Sequence, residues 1–293
     1  MQIWQAIVLG LAQGLTEFLP VSSSGHLVFL QRVLNVDVGG AEMFFNIILH
    51  LGTLVAVCVI FYKDIINLFK KPFKTLLYLI LATIPAGIAG LLLDDVIESG
   101  IVQSDFAGIF LAVFFFITAS VLFATEIYAK RKSSPQPAGI SENPAAAAEF
   151  KARAEMASIS LKSSLSMGLA QAVALLPGIS RSGSTICAGT FAGGSREDVS
   201  KFSFLMSIPV ILGSFAVSLV KGIFNGELAT SFQAAGPNIG WCIALGFIMS
   251  VLAGLFAIKL MLAAIKKANY KWFSLYLVLL SIACVVLFCC GLF

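Results

Sequence analysis

The stretch Gly10–Phe29, GLAQGLTEFLPVSSSGHLVF, decides how the rest of this sequence is interpreted. It sets Glu17 and His26 in an otherwise apolar run, with Pro20, three serines and Gly25 between them. A charged side chain in hydrocarbon costs about 2.5 to 3.5 kcal/mol, so an intramembrane carboxylate usually has a function. Pro20 and Gly25 interrupt a helix, and broken backbone at membrane depth occurs only where it is buried or lines a cavity. The stretch therefore indicates a site and not a plain transmembrane span.

The composition is that of an integral membrane protein. Of 293 residues, 59% are hydrophobic and 12% are charged, with a formal net charge of +4. Several separate apolar runs reach the roughly 20 residues that a helix needs to cross a bilayer core. The positive charge lies in loops, so it indicates membrane topology and not nucleic-acid binding. Full transmembrane spans are predicted at about 44–62, 74–93, 106–128, 202–221, 238–263 and 272–290.

Two further apolar stretches, 3–34 and 160–194, are broken in the middle, at 20–25 and at 177–183. We interpret both as re-entrant helix–loop–helix pairs, which enter the membrane and return to the side they came from. Between the two halves, 130–158 is polar and contains proline, which is typical of an exposed linker. The predicted fold is an all-α polytopic membrane protein with six full transmembrane helices and two re-entrant helix–loop–helix pairs.

The two broken stretches superpose when the sequence is shifted by 158 residues. The tetrapeptide Gly10–Gln13 then falls on the identical Gly168–Gln171. At the same offset, Ser22, Ser24 and Gly25 fall on Ser180, Ser182 and Gly183. Three full spans separate the broken stretches, so the second one enters from the opposite side. A single membrane domain, 1–293, is thus predicted to hold two inverted repeats, 1–129 and 159–293, whose sites lie near the midplane.

Loop charges set the predicted orientation. Lysine and arginine concentrate in the 63–74 loop, at the start of the 130–158 linker and in the 264–271 turn, whereas the 94–105 loop is acidic. Cytoplasmic loops carry the excess of basic residues. The linker is therefore predicted to be cytoplasmic, and both termini fall on the outer side.

Inverted repeats bring two polar tips face to face, so Glu17, Ser23 and His26 are expected opposite Arg181. The second tip, PGISRSGST at 177–185, has the features of an anion site. Glycine lets backbone N–H groups approach a ligand, hydroxyls donate, a restarting helix presents its positive end, and arginine suits phosphate oxygens. An alternative is that Arg181 only forms a salt bridge with Glu17 and holds the two half-helices together.

The first tip supplies complementary chemistry. Glu17 can act as a base or bind a divalent cation, and His26 titrates near neutral pH. A serine of the triplet can be a nucleophile or a phosphate ligand, although most membrane serines bond to their own backbone or to a neighbouring helix. His50, on the next span, is predicted to have no polar neighbours and is assigned to packing or to a helix–helix hydrogen bond. The residues alone thus predict an intramembrane phosphate-ester or diphosphate site for a substrate with a lipid tail.

Three long blocks resemble the undecaprenyl-diphosphate phosphatase family of the bacitracin-resistance type. They are QGLTEFLPVSSSGH at 13–26, LLPGISRSGST at 175–185 and KFSFLMSIPVILG at 201–213, within a similarity that spans about 3–290. The resemblance implies a bacterial inner-membrane enzyme that removes the terminal phosphate of undecaprenyl diphosphate. The product is the monophosphate carrier used in cell-wall synthesis. A divalent cation (Mg²⁺ or Ca²⁺) and an active site open to the periplasmic side are implied as well.

Carried over by motif, the resemblance implies that Glu17, Ser23, His26 and Arg181 are catalytic, with Glu17 as a candidate metal ligand. Where the family pattern allows glutamate or glutamine, this chain has Gln13. Substrate binding is assigned to Gln13, Ser22, Ser24, Gly25, Ser180, Ser182, Gly183, Ser184 and Thr185. The expected partners are the polyprenyl diphosphate and membrane lipid, with a homodimer as a further expectation.

A second class of function fits the same architecture. Inverted repeats with broken midplane helices are typical of secondary transporters, so a polyprenyl phosphate could be moved instead of cleaved. Phosphate release from a lipid diphosphate distinguishes this flippase hypothesis from hydrolysis. An ion channel is disfavoured, because the polar residues cluster at two tips and do not line a pathway.

Overall fold

The structure is a computed structural model that describes residues 1–37, 42–132, 159–224, 237–267 and 270–293. The regular elements in these ranges are helices. In chain order they are α1 Ile3–Phe18, α2 Ser23–Val33, α3 Glu42–Ile60, α4 Tyr62–Leu68, α5 Lys74–Ile97 with a π-helical turn at Glu98–Val102, α6 Ala107–Lys132, α7 Leu161–Val173, α8 Arg181–Phe191, α9 Arg196–Phe224, α10 Ile239–Lys267 and α11 Lys271–Cys289. The predicted linker 130–158 lies outside the described residues from 133 onward.

Five of the described helices are long and apolar enough to cross a membrane. These are α5 with its π-helical extension, α6, α9, α10 and α11. A sixth candidate consists of α3 and α4 together, which are bent by 81° where the two helices meet. The described part of the chain is therefore a multi-pass membrane protein with five or six spans. The predicted span 44–62 ends at this bend, and the bend itself was not predicted from the sequence.

Both apolar stretches that were predicted to be broken are broken in the structure. Helix α1 ends at Phe18 and α2 begins at Ser23, while α7 ends at Val173 and α8 begins at Arg181. Each second helix starts with a serine cap, because the Oγ of Ser22 accepts from the N–H of Gly25 and the Oγ of Ser180 accepts from the N–H of Gly183. Such caps satisfy N–H groups that the first turn of a helix leaves unpaired.

Small residues allow the broken helices to pack closely on long ones. A Cβ on Gly10 of α1 would lie 2.3 Å from the carbonyl oxygen of Gly246 in α10. A Cβ on Gly168 of α7 would lie 2.6 Å from the carbonyl oxygen of Ala82 in α5. Close backbone approach at small residues is the usual way in which helices associate in membranes. Neither position accepts a side chain without moving the partner helix.

Buried hydroxyls tie other helix pairs together. Serine side chains donate across helix interfaces to backbone carbonyls, which pairs polar groups that lipid cannot solvate. The bonds join α7 to α5 (Ser164 to Tyr78, 2.7 Å), α10 to α3 (Ser250 to Leu49, 2.6 Å) and α11 to α6 (Ser274 to Ala119, 2.8 Å, and Ser281 to Ala112, 2.7 Å).

Candidate active site

The two tips meet near the middle of α6. Thr118 lies close to the centre of that helix, and its Oγ1 donates to the carbonyl of Gly178 at 3.0 Å. The same Oγ1 accepts from the N–H of Ser180 at 3.1 Å. The N–H of Gly178 in turn donates to the Oγ of Ser22 at 3.1 Å. A residue of a long apolar helix thus holds the second tip, and the second tip is bonded directly to the first.

Glycine makes this close contact between the tips possible. A Cβ on Gly25 would lie 2.8 Å from the Cα of Gly178 and 2.7 Å from the ring of Phe115. Gly178 itself has φ +102°, a backbone conformation that residues other than glycine rarely adopt. The Oγ of Ser182 adds a bond from the second tip to the first, since it donates to the carbonyl of Leu19 at 2.8 Å.

Glu17 is the centre of the site. It is 6% exposed, and its Oε1 accepts from Nη2 of Arg181 at 2.5 Å. Its Oε2 accepts from the Oγ of Ser23 at 2.6 Å and from Nε2 of Gln13 at 2.9 Å. A buried carboxylate needs this combination of an opposite charge and further donors, because burial alone disfavours the charged form. The structure thus brings two other predicted catalytic residues, Ser23 and Arg181, into hydrogen-bond contact with Glu17.

Arg181 is held so that part of its guanidinium can still bind a ligand. Its side chain is 15% exposed, and Nη1 donates to the carbonyl of Ser203 in α9 at 3.1 Å. The guanidinium carries further N–H groups beyond these two contacts. Arg181 also begins α8, while Ser23 begins α2, so the positive ends of two helices lie beside the same carboxylate. This concentration of donors and positive potential suits a phosphate group.

His26 lies in the first tip but its ring turns to other partners. Nδ1 is 2.7 Å from the carbonyl oxygen of Ser22, and Nε2 is 2.7 Å from the hydroxyl of Tyr276 in α11. The rings of His26 and Tyr276 are stacked with their centroids 5.7 Å apart. Ser22 has φ +68°, which is strained for a residue with a side chain. His26 therefore supports the strained turn directly before Ser23, and both its ring nitrogens are occupied.

The prediction that His50 has no polar neighbours is wrong. Its Nε2 lies 3.7 Å from Oε2 of Glu17, and its Nδ1 lies 2.7 Å from the carbonyl oxygen of Asn46. The contact joins α1 to α3, so it depends on how the helices pack and not on local sequence. One signal was present, since Asn46, His50 and Thr53 form a polar stripe at helical spacing in an apolar helix.

The predicted substrate-binding hydroxyls divide into two groups. Ser22, Ser180, Ser182 and Thr185 are buried and bond within the protein. Thr185, for example, shares a hydrogen bond of 2.6 Å with the hydroxyl of Ser203. Ser24 and Ser184 are half-buried and keep some accessible surface, as does Ser23, which was predicted to be catalytic. Of the two predicted glycines, Gly25 lies against Gly178, and a Cβ on Gly183 would lie 3.3 Å from Pro20.

Glu17 and Gln13 fit a site for a divalent cation. The Oε1 of Gln13 is buried without a hydrogen-bond partner, although Nε2 of the same amide contacts Glu17. Carboxylate and amide oxygens suit Mg²⁺ and Ca²⁺, and Mg²⁺ typically takes one or two protein ligands together with substrate phosphates. Within the described ranges, no three side chains of the His, Cys, Asp and Glu types converge as a metal site. A cation bound at Glu17 would therefore take its remaining ligands from other groups.

Comparison with known proteins identifies the family. Residues 6–283 match the family described as bacitracin resistance protein BacA. An undecaprenyl-diphosphatase of Methanobrevibacter smithii is 38% identical, over 94% of each chain. Proteins of the same name from Methanosphaera stadtmanae and Carboxydothermus hydrogenoformans are each 37% identical, over 98% and 100% of both chains respectively. With the match covering nearly the whole sequence, the chain belongs to the BacA family of bacitracin resistance proteins.

Proposed function

We propose that this protein is an integral membrane phosphatase that hydrolyses undecaprenyl diphosphate to undecaprenyl phosphate and phosphate. The observation that carries the proposal is the bond from the hydroxyl of Ser23 to Glu17, whose other oxygen binds Arg181. A hydroxyl, a base and an anion-binding cation thus lie within one site at membrane depth. The relatives at 37–38% identity are named for this reaction.

Binding of the diphosphate would use the donors that converge on Glu17. The remaining N–H groups of Arg181 and the positive ends of α2 and α8 provide a cradle for the terminal phosphate. Among the hydroxyls, Ser24 and Ser184 are half-buried and suited to direct contact with the substrate. The buried hydroxyls, together with Gly25 and Gly183, keep the two tips close enough to share one ligand.

The chemical step we favour is in-line attack by the Oγ of Ser23 on the terminal phosphorus. Glu17 takes the hydroxyl proton, since Ser23 already donates to its Oε2 at 2.6 Å. A bond forms between the serine oxygen and phosphorus as the bridging P–O bond breaks, and undecaprenyl phosphate leaves. Water then hydrolyses the phosphoserine. A water molecule in place of Ser23 would need the same base and the same arginine. His26 supports the turn that presents Ser23.

A divalent cation, where one is used, would be held by Glu17 and Gln13 together with diphosphate oxygens. Its contribution would be to neutralise negative charge on the phosphate oxygens. The buried unpaired Oε1 of Gln13 supports this assignment, since it is an acceptor that lacks a donor.

We also propose the finer architecture of six transmembrane helices and two re-entrant pairs in inverted repeats, 1–129 and 159–293, joined by the linker 130–158. The pattern of helix contacts supports it. The broken helix of each half packs on a long helix of the other half, α1 on α10 and α7 on α5. The last long helices of the two halves, α6 and α11, pack on each other. Such reciprocal contacts are expected when two similar units are related by a pseudo-two-fold axis.

The proposed location is the bacterial plasma membrane, with both termini and the opening of the site on the outer side and the linker in the cytoplasm. The basic loops support this orientation. Lys221, at the end of α9, contacts Asp94 and Asp95 at 2.9 and 3.1 Å, which joins the acidic loop to the predicted outer end of a second span. A homodimer stays a prediction.

The decisive experiment measures phosphate release from undecaprenyl diphosphate by the purified protein, with and without a chelator. We expect release by the wild type and its loss in Glu17→Gln. Transport of a polyprenyl phosphate without any phosphate release would instead support the flippase hypothesis. For the nucleophile, acid quenching of the reaction should trap phosphoserine at Ser23. Normal turnover by Ser23→Ala would assign the attack to water.

A further inference from the structure

Among the described residues, His50 is an ionisable neighbour of Glu17 that the proposed mechanism leaves without a role. Its Nε2 lies 3.7 Å from Oε2 of Glu17, and its side chain is 28% exposed. A hydrogen bond between nitrogen and oxygen spans about 2.7 to 3.2 Å. The two atoms therefore face each other across a gap that is too wide for a direct hydrogen bond.

The other ring nitrogen decides what His50 presents to this gap. Nδ1 lies 2.7 Å from the carbonyl oxygen of Asn46. A carbonyl oxygen only accepts, so Nδ1 carries the hydrogen, and in the neutral ring Nε2 is left with a lone pair. In the neutral form of the ring, this lone pair faces a carboxylate oxygen of Glu17. This is the arrangement of two ligands of a metal ion, with the Asn46 carbonyl as the outer partner that fixes the ring.

We propose that Nε2 of His50 and Oε2 of Glu17 are joint ligands of the divalent cation, with the amide oxygen of Gln13 as a third. The inference rests on the cation-assisted hydrolysis proposed above. Metal–nitrogen and metal–oxygen bonds of about 2.1 Å can together bridge a separation of up to about 4.2 Å, which includes the observed one. Rotation of the Gln13 amide replaces the Nε2 donor beside Glu17 with the buried Oε1, which has no other partner.

An imidazole ligand changes which ion the site prefers. Mg²⁺ and Ca²⁺ favour oxygen ligands, whereas imidazole suits transition metals, and Mn²⁺ is a transition metal that also takes carboxylate and carbonyl oxygens. A site built from Glu17, Gln13 and His50 should therefore bind Mn²⁺ more tightly than Ca²⁺. This differs from the Mg²⁺ or Ca²⁺ that the family resemblance implies.

Mn²⁺ bound to the full-length protein in lipid nanodiscs provides the test. Pulsed electron paramagnetic resonance detects coupling between Mn²⁺ and a directly bound ¹⁴N nucleus. The chain contains two histidines, His26 and His50, so with a tag that lacks histidine the signal has two candidate sources. The variants are His50→Gln and, as the matched control, His26→Gln. Equilibrium titrations with Mn²⁺ and with Ca²⁺ accompany the spectra.

We expect imidazole coupling in the wild type and in His26→Gln, and its loss in His50→Gln. The affinity of His50→Gln for Mn²⁺ should fall by at least the ten- to hundredfold that loss of an outer-shell partner causes, with a smaller change for Ca²⁺. If His50→Gln does not fold, coupling that persists in His26→Gln still assigns the ligand. Bound Mn²⁺ without coupling in the wild type, coupling lost in His26→Gln, or no Mn²⁺ binding would each overturn the inference. If the protein binds no Mn²⁺ but still releases phosphate in the presence of a chelator, the proposed hydrolase function stands and the metal site does not.

Discussion

Glu17 and Glu126 are two buried carboxylates, each bound to an arginine from the second half of the chain. Nη2 of Arg196 lies 3.2 Å from Oε2 of Glu126, and Nη2 of Arg181 lies 2.5 Å from Oε1 of Glu17. The two arginine side chains have the same exposure, 15%, and the side chains of Glu17 and Glu126 are 5% and 1% exposed. Depth of burial therefore does not distinguish the two ion pairs.

The neighbours of the two carboxylates differ in kind. Glu126 is surrounded by two cations and a backbone donor: Arg196, the exposed Lys130 at 3.6 Å and the backbone N–H of Tyr270 at 3.4 Å. The Arg196 guanidinium also lies over the Tyr270 ring, 4.8 Å from its centre, which immobilises it further.

Glu17 instead bonds to a serine hydroxyl and a reorientable amide, and an imidazole lies 3.7 Å from it. These groups can exchange a proton or bind a ligand, whereas those around Glu126 only hold it in place. From this comparison we expect the Glu17 pair, whose neighbours can react or bind a ligand, to be the functional one.

The largest effect is expected from Arg181→Gln. It removes the charge that binds the phosphate, and loss of one preorganised donor typically costs about a hundred- to a thousandfold in rate. We expect phosphate release to fall beyond a hundredfold while the protein elutes as a folded species in size-exclusion chromatography. Near-normal turnover would show that Arg181 only holds the half-helices together. Arg196→Gln is the matched control and should keep most of its turnover per folded molecule.

A loss of stability, in contrast, is expected in Arg196→Gln as well as in Arg181→Gln, because each change leaves a buried carboxylate without its arginine. Arg196→Gln leaves Glu126 buried with one exposed cation, and breaking a buried pair costs about 3 kcal/mol at the lower end of the usual range. Unfolding in a detergent titration should report this loss. If Arg196→Gln had an unchanged unfolding midpoint, or if its rate of phosphate release fell as far as that of Arg181→Gln, the assignment of a structural role to the Arg196 pair would be contradicted.

A smaller effect is expected from Tyr276→Phe. The hydroxyl of Tyr276 lies 2.7 Å from Nε2 of His26, and a typical hydrogen bond contributes about 0.5 to 1.5 kcal/mol. Since His26 supports the turn before Ser23, we expect the rate of phosphate release to fall by about threefold to tenfold. Tyr62→Phe, at an exposed tyrosine on α4, is the control and should behave as the wild type. Equal rates in both variants would remove Tyr276 from the site.

The smallest effect is expected from Lys130→Gln. The Lys130 side chain is 61% exposed, and its contact with Glu126 spans one helical turn at 3.6 Å. Exposed pairs of this kind contribute about 0.3 to 0.5 kcal/mol. The unfolding midpoint should hardly move, and it should become less sensitive to salt. A loss comparable to that of Arg196→Gln would mean that Lys130 is an essential part of the buried cluster.

Much of the fold could be predicted because hydropathy and helix breakers act locally. Pro20 and Gly25 located the first break, and the predicted span 272–290 differs by one residue at each end from α11. The 81° bend after Ile60 was missed, because neither proline nor glycine marks it. The π-helical turn at Glu98–Val102 was missed as well, since the acidic residues from Asp94 onward predicted a loop there.

The contacts within the site could be predicted only in part. The repeat brought the tips of Glu17 and Arg181 together, because an internal offset carries information about distant parts of the chain. His50 and Tyr276 belong to neither tip and lie on helices whose packing the repeat does not specify. The rule that an intramembrane carboxylate has a function would also have selected Glu126, so the sequence alone does not separate the two ion pairs.

The separation of Glu17 from Arg181 along the chain has a consequence for biosynthesis. The two residues are 164 positions apart. At about 5 to 20 residues per second, a ribosome needs on the order of 10 to 30 seconds to make the intervening segment. For that interval the nascent first half holds an acidic group at the membrane before its basic counterpart exists. Until the second half has been made, this carboxylate must therefore be either bound by the insertion machinery or protonated.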